Sequence, residues 1–408
     1  MNGQRNKEDF KGAAGFFGAI QAAEKNKKLS IAIVEKTSKI LSKVKVSGGG
    51  RCNVTHHCFE AKSLAAHYPR GEKPLRELFK TYQAKDVVEW FEKKGVKLKA
   101  EADGRMFPVT DDSQTIIDLF LREVSAHKIE VQRNKAVTSL QKRDAHFVVE
   151  FEDKTTLKAK KILVASGGHA NPQAYAWLSS TGHTIDSPIP SLFTFNDSTK
   201  AFKELMGIAV PNAYVRIVGT KFSQKGPLLI THWGLSGPAV IKLSAWAAEY
   251  LHEKKYEFVV LVSWIGDVKE EQLREQLLAY KSKHIKQRIA GNPLFELPQR
   301  LWSKLCDLAE IEEEKLWGDL ALKNLNKLLE NLIRCRFDIK GKTTFKEEFV
   351  TCGGVPLNEV EMSTMVSKLI PDLFFAGEIL NIDGETGGFN FQAAWTTAYV
   401  AASTIAKA

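Results

Sequence analysis

Three glycine-bearing segments hold the residue types through which a backbone can meet a ligand. The first is Ser47-Gly48-Gly49-Gly50-Arg51-Cys52-Asn53. Adjacent glycines strip every Cβ from the chain, so a planar ring or a phosphate can approach the amides. Arg51 offers a fixed charge, and Asn53 both a donor and an acceptor. A flexible loop is the competing reading. The second segment, Gly384-Glu385-Thr386-Gly387-Gly388-Phe389-Asn390, precedes a stretch of helical composition over 391–406. Gly-Gly at a helix start exposes orphan N–H groups at the positive end of the dipole. Such a start would stabilise negative charge developing on a neighbouring ring; a plain N-cap is the competing reading.

The third segment is a partial dinucleotide fingerprint. A G-x-G-x-x-G turn between strand and helix lets backbone N–H groups meet a pyrophosphate. Here Gly12 and Gly15 supply the later two glycines, Phe10 stands at the first, and the polar residues 2–9 cannot form the apolar strand that should precede the turn. Glu35 lies 20 positions beyond Gly15, at the end of Ile31-Ala32-Ile33-Val34 and just before Lys36. A carboxylate there suits ribose hydroxyls, while an Ala/Gly-rich core helix explains the glycines equally. Cys52, His56, His57 and Cys58 match no zinc spacing, so no metal is expected.

The elements that must position these segments alternate at both chain ends. A helix over 13–27 leads into the strand ending at Glu35, and strands follow through Val137, residues 147–149 and 162–164 up to Ala165, Ser166, Gly167 and Gly168. After Pro188 and Pro190 the character changes. Residues 191 to about 265 read as strands, and those from 267 to about 336 as charged helices. Leu325, Leu328, Leu329, Leu332 and Ile333 fall on one helical face. The first pattern resumes with Leu373-Phe374-Phe375-Ala376-Gly377-Glu378. The expected fold is therefore α/β, one domain built from both chain ends around an insertion.

With 44% hydrophobic and 26% charged residues, the 408-residue chain can bury a core, which excludes disorder as its dominant state. The net charge of +10 attracts anions, whether dinucleotide phosphates, acidic metabolites, RNA or a membrane surface, without choosing among them. Five cysteines without a CxxC pair fit reduced thiols and a cytoplasmic setting. No stretch approaches the ~18 apolar residues of a membrane span.

Taken together, the segments resemble the BaiN/YhiN-like bacterial flavoproteins, FAD- and NAD(P)H-linked oxidoreductases that include aminoacetone oxidases and dehydro-bile-acid reductases. The resemblance rests on Gly12-Ala13-Ala14-Gly15 with Glu35, on VSGGGRCNVT at 46–55, THWGLSGP at 231–238 and DLFFAGEILNIDGETGGFNFQAAW at 372–395. Softer matches are GRMFP at 104–108, ASGG at 165–168 and VTCGGV at 350–355. It implies a Rossmann-like FAD-binding domain over 1–190 and 346–408. It also implies an inserted β-rich domain over 191–266 and 336–345, carrying a helical subdomain over 267–335.

By the same resemblance, Gly12 and Gly15 would face the pyrophosphate, and Glu35 and Lys36 the ribose. Ser47, Gly48, Gly49, Gly50, Arg51, Cys52 and Asn53 would line the flavin, and Val137 the adenine. Ala165, Gly167, Gly377, Glu378, Gly387, Gly388, Phe389 and Asn390 would complete the cofactor site. Arg105, His232 and Ser236 are the substrate-facing candidates, with Thr231-His232 and Ser236-Gly237-Pro238 forming a turn in the insert. Three departures stand out: the missing first strand and glycine, His169-Ala170-Asn171-Pro172 where the family favours a Gly-Ser-Thr-Gly-Asp type turn, and Lys45 where an aliphatic residue is usual. The function expected is FAD-dependent hydride transfer between flavin N5 and a small organic substrate. No second G-x-G-x-x-G follows a strand, so NADH or NADPH would act only as a transient donor, or oxygen would be the redox partner. The alternatives are an FAD-containing RNA-binding or RNA-modifying protein and a flavin-deficient member.

Overall fold

The computed structural model describes residues 12–343 and 350–407. Phe10 and the rest of the atypical start lie outside the described residues. The chain divides into two compact units, Met1–Ser191 with Lys346–Ala408, and Leu192–Phe345.

In the first unit the helix Ala13–Lys25 buries Ala13, Phe16, Phe17, Ile20 and Ala23, a spacing that keeps one face apolar. That face packs on the carboxyl-terminal helix Phe389–Ala406. Phe17 lies 5.0 Å from Trp90 and 5.3 Å from Trp395, ring centre to ring centre. Burying each large side chain stabilises by roughly 1.5–3 kcal/mol. Gly18 allows the close approach to the sheet, since a Cβ there would stand 2.8 Å from Leu163 Cδ2.

The α/β character is realised through two parallel pairs. Ala32–Val34 runs beside Glu130–Gln132, and Ile162–Val164 beside Leu373–Phe375. Among the described residues these pairs belong to separate sheets. Three antiparallel strands follow the first pair in sequence, Val137–Arg143, His146–Phe151 and Thr156–Ala159. A smaller sheet joins Thr55–His56, Arg105–Pro108 and Leu98–Ala100. Asp186–Pro190 pairs with Thr351–Gly354, where the chain leaves the unit and where it returns.

The second unit is a closed, fully antiparallel barrel. Its strand order is Thr194–Asp197, Gly234–Ser236, Ser223–Ile230, Ala209–Ile217, Glu257–Ser263 and Cys335–Thr343. The helices Glu270–Lys283, Gln299–Leu308 and Leu322–Ile333 share one apolar core with the barrel. Leu325, Leu328, Leu329 and Leu332 are buried on the face that their spacing marks. The stretch 231–238 departs from the expected turn. Only its first residues turn; Gly234–Ser236 is a strand, and Pro238 opens the helix Pro238–Trp246, where its missing N–H costs nothing.

Candidate functional site

The Ser47 to Asn53 loop and the run at 384–390 meet at the start of the carboxyl-terminal helix. Gly48, Gly49 and Gly50 take φ of +58°, +68° and +85°, a conformation open to glycine at little cost. Past them, Asn53 accepts a hydrogen bond from Gly388 N at 2.9 Å, and its amide donates to Thr55 O at 3.0 Å. His56 Nδ1 lies 2.9 Å from Gly387 O. Thr55 Oγ1 donates to Gln392 at 2.6 Å, and Trp395 Nε1 to Val54 O at 2.9 Å. Asn390 then closes the run on itself, accepting from Gly384 N and donating to Gly384 O, both at 2.9 Å. Gly388 caps the helix with φ +93°, and a Cβ there would meet Thr55 O at 2.5 Å. Phe389 is buried.

A second convergence surrounds the start of the helix Ala13–Lys25. A Cβ on Gly12 would face Ala165 O at 3.8 Å, and one on Gly15 would touch Ala165 Cβ at 3.5 Å. Gly377, at φ +75°, would bring a Cβ within 2.9 Å of Ala14, and its N–H donates to Thr397 Oγ1 at 2.9 Å. The next residue, Glu378, pairs with Lys43 and accepts from Thr351 N at 3.1 Å. Burial alone would raise its pKa. The Lys43 charge, with the N–H groups of Thr351 and Gly168, outweighs burial and holds the carboxyl below its usual range. Thr351 Oγ1 is buried without a hydrogen-bond partner among the described residues. A Cβ on Gly168 would come within 2.7 Å of that oxygen. Gly167 has φ +74°.

Other expected residues sit apart from these contacts. Glu35 is buried at a strand end and accepts from Thr37 N at 3.1 Å, while Lys135 N donates to its carbonyl at 2.9 Å. Lys36 follows it, partly buried. Val137 begins a strand two residues beyond Lys135. Cys52 is buried at φ +61°, and burial pushes its thiol up to about 12; Cys58, Cys306 and Cys335 are likewise thiols outside any disulfide.

Arg51 differs from the expectation of a charge offered to a ligand. It pairs with Glu101 at 2.6 Å and Asp111 at 3.6 Å and lies over the Phe107 ring at 4.0 Å. Arg105 joins the same cluster through Glu101 at 2.9 Å and Asp103 at 2.7 Å. His232 and Ser236 belong to the barrel unit. His232 meets Trp233 edge-on at 4.2 Å, and with Lys200 and Lys340 it lines an open cavity of about 400 Å³. Ser236 is buried in register with Leu229.

Sequence reasoning missed two polar clusters beside the run. Arg70 Nε donates to Asp383 Oδ1 at 2.6 Å, and Ser191 donates to the same fully buried carboxylate. His67 Nδ1 lies 3.1 Å from Glu385 Oε2. The partners are separated by 313 and 318 positions, so no local spacing could announce them.

The profile of the HI0933-like protein Rossmann domain matches residues 11–404. The chain belongs to that family. It is the flavoprotein family that the motifs resembled. The ribosomal RNA dihydrouridine synthase of Escherichia coli K12 is 29% identical over 407 residues, covering 97% of this chain and 96% of that protein. The 3-dehydro-bile acid delta(4,6)-reductase of Clostridium scindens is 26% identical, covering 97% of each. The 3-ketosteroid-delta4-(5alpha)-dehydrogenase of Rhodococcus jostii RHA1 superimposes with a TM-score of 0.52 at 12% identity, over 97% of this chain and 95% of that one. This likeness supports the α/β fold with its β-rich insertion. No helix among the described residues is long and apolar enough to cross a membrane.

Proposed function

We propose that this protein is an FAD-dependent reductase of a carbon–carbon double bond conjugated to a carbonyl. The observation that carries the reading is the convergence of the Ser47 to Asn53 loop and the 384–390 run on one helix start. The donor set suits FAD. Two helix starts offer orphan N–H groups, and the buried Thr351 hydroxyl beside Gly168 and Glu378 has no partner among the described residues.

Gly12 and Gly15 would hold the pyrophosphate, Glu35 with Lys36 the ribose, and Val137 the adenine. Ala165, Gly167, Gly377 and Glu378 would hold the middle of the cofactor. The loop residues Ser47, Gly48, Gly49, Gly50, Cys52 and Asn53, with Gly387, Gly388, Phe389 and Asn390, would hold the ring edge. FAD, when bound, supplies a hydride. The chain's own part is to hold the reactants in register and to present the helix dipole where negative charge develops.

The relatives' substrates support the reaction class. Dihydrouridine differs from uridine by two hydrogens across a ring double bond conjugated to a carbonyl, and a 3-oxo steroid with 4,6 double bonds is conjugated in the same way. A net charge of +10 attracts a polyanionic RNA more strongly than a bile acid with its single carboxylate. NADH or NADPH would reduce the flavin transiently.

The test is anaerobic. The FAD-loaded protein is bleached with NADH or NADPH, then mixed with unmodified ribosomal RNA transcript or with a 4,6-dien-3-one steroid. Reoxidation by the RNA, weakening steeply with salt, supports the RNA reading. Reoxidation by the steroid alone supports a small-molecule enzyme, and reoxidation by neither contradicts the reaction class.

A further inference from the structure

One ionisable pair joins the 384–390 run to the segment that carries His67. His67 Nδ1 faces Glu385 Oε2 at 3.1 Å, and Glu385 N donates to His67 O at 2.9 Å. Backbone and side chain thus fix the two residues together. Glu385 is 5% exposed, whereas the His67 side chain is 33% exposed. The imidazole lies flat on Phe389, with ring centres 4.2 Å apart and planes 15° apart, and His56 stacks on Phe389 at 4.5 Å. Among the described residues, His67 Nε2 has no hydrogen-bond partner.

A clamp would need only the contact through Nδ1. The arrangement goes further. A carboxylate accepting from Nδ1–H selects the tautomer, and stacking selects the ring plane, so Nε2 is the nitrogen left to exchange a proton. One anchored nitrogen and one accessible nitrogen is how a histidine general acid is oriented. Among the described residues, the titratable groups facing His67 are Glu385 from the run and His56 from the strand Thr55–His56. Arg70 lies three residues beyond His67, and its partner Asp383 two residues before Glu385.

The geometry points to His67, oriented by Glu385, as the proton donor that completes reduction of the conjugated double bond. This rests on the reaction proposed above. The β carbon takes a hydride from reduced flavin, and the π electrons of the double bond shift onto the carbonyl to give an enolate. The N–H bond at Nε2 of the His67 imidazolium then breaks as a C–H bond forms at the α carbon, leaving the neutral Nδ1–H tautomer that Glu385 holds. The substrate thus gains two electrons and two hydrogens, one as the hydride that bound, reduced FAD would supply and one as the His67 proton, which His67 recovers from water.

Full-length protein loaded with FAD is reduced photochemically without oxygen and mixed with unmodified ribosomal RNA transcript or a 4,6-dien-3-one steroid. In His67→Gln, FAD content and photoreduction stay at wild-type levels. Reoxidation slows by roughly 100-fold or more, and the wild-type fall in rate with rising pH disappears. Glu385→Gln slows the step less and keeps that fall. Independently of turnover, nitrogen NMR of labelled histidines finds neutral His67 protonated on Nδ1. Wild-type reoxidation rates and pH profile in His67→Gln overturn the assignment, as does a neutral His67 protonated on Nε2. A wild type that holds FAD but is reoxidised by neither probe overturns the reaction class and this assignment together.

Discussion

At Glu378 a carboxylate stays charged where burial alone would favour neutrality. Lys43 and two backbone N–H groups tip the balance. The folded pKa therefore lies below the unfolded value near 4.5. The stabilisation is complete above that value and is lost as pH falls through the folded pKa. Thermal unfolding of the wild type should lose midpoint steeply below about pH 4.5, and Glu378→Gln should flatten that slope. At neutral pH the substitution should cost roughly 1.5–3 kcal/mol, the worth of hydrogen bonds to a charged group. Identical slopes in the two proteins would remove Glu378 as their source. The glycines and Asn53 stood out in the sequence because their chemistry is local. Glu378 stood out only through the family resemblance, and its pairing with Lys43 did not, because 335 positions separate them. Only folding reveals such partners.

Among the elements, the tie between the glycine loop and the carboxyl-terminal helix matters most. Gly49 and Gly388 both have positive φ, but a Cβ on Gly49 would meet nothing within 4 Å, whereas one on Gly388 would press on the Thr55 carbonyl. Gly49→Ala should cost only the backbone penalty of about 1–2 kcal/mol. Gly388→Ala should cost distinctly more, because the obstacle is backbone rather than a flexible side chain. Urea midpoints of the two variants, at unchanged m, measure the difference; equal losses would mean that the helix start is not held as tightly as its contacts indicate. The helix Leu322–Ile333 was legible because its leucines recur at helical spacing. Barrel closure was not, because strands of three and four residues such as Gly234–Ser236 and Thr194–Asp197 carry too little pattern to show their partners. The 231–238 stretch departs from its expected turn for a related reason. Its Gly and Pro signal a break, but here the break lies between strand and helix.

For the whole molecule, family membership covers nearly the full chain, and both ends contribute the segments that converge in the first unit. That both chain ends build one unit was readable from the returning strand Leu373–Phe375 and the glycines after it. The start of the chain was not, since Phe10 and the polar residues before it break the fingerprint that Gly12, Gly15 and Glu35 otherwise support. The central claim is that these segments hold FAD despite that start. The visible spectrum of the purified, folded full-length protein tests it most directly. The account predicts a yellow protein with flavin absorption bands and one FAD per chain, either as isolated or after reconstitution. A folded protein that stays colourless after incubation with excess FAD would contradict it.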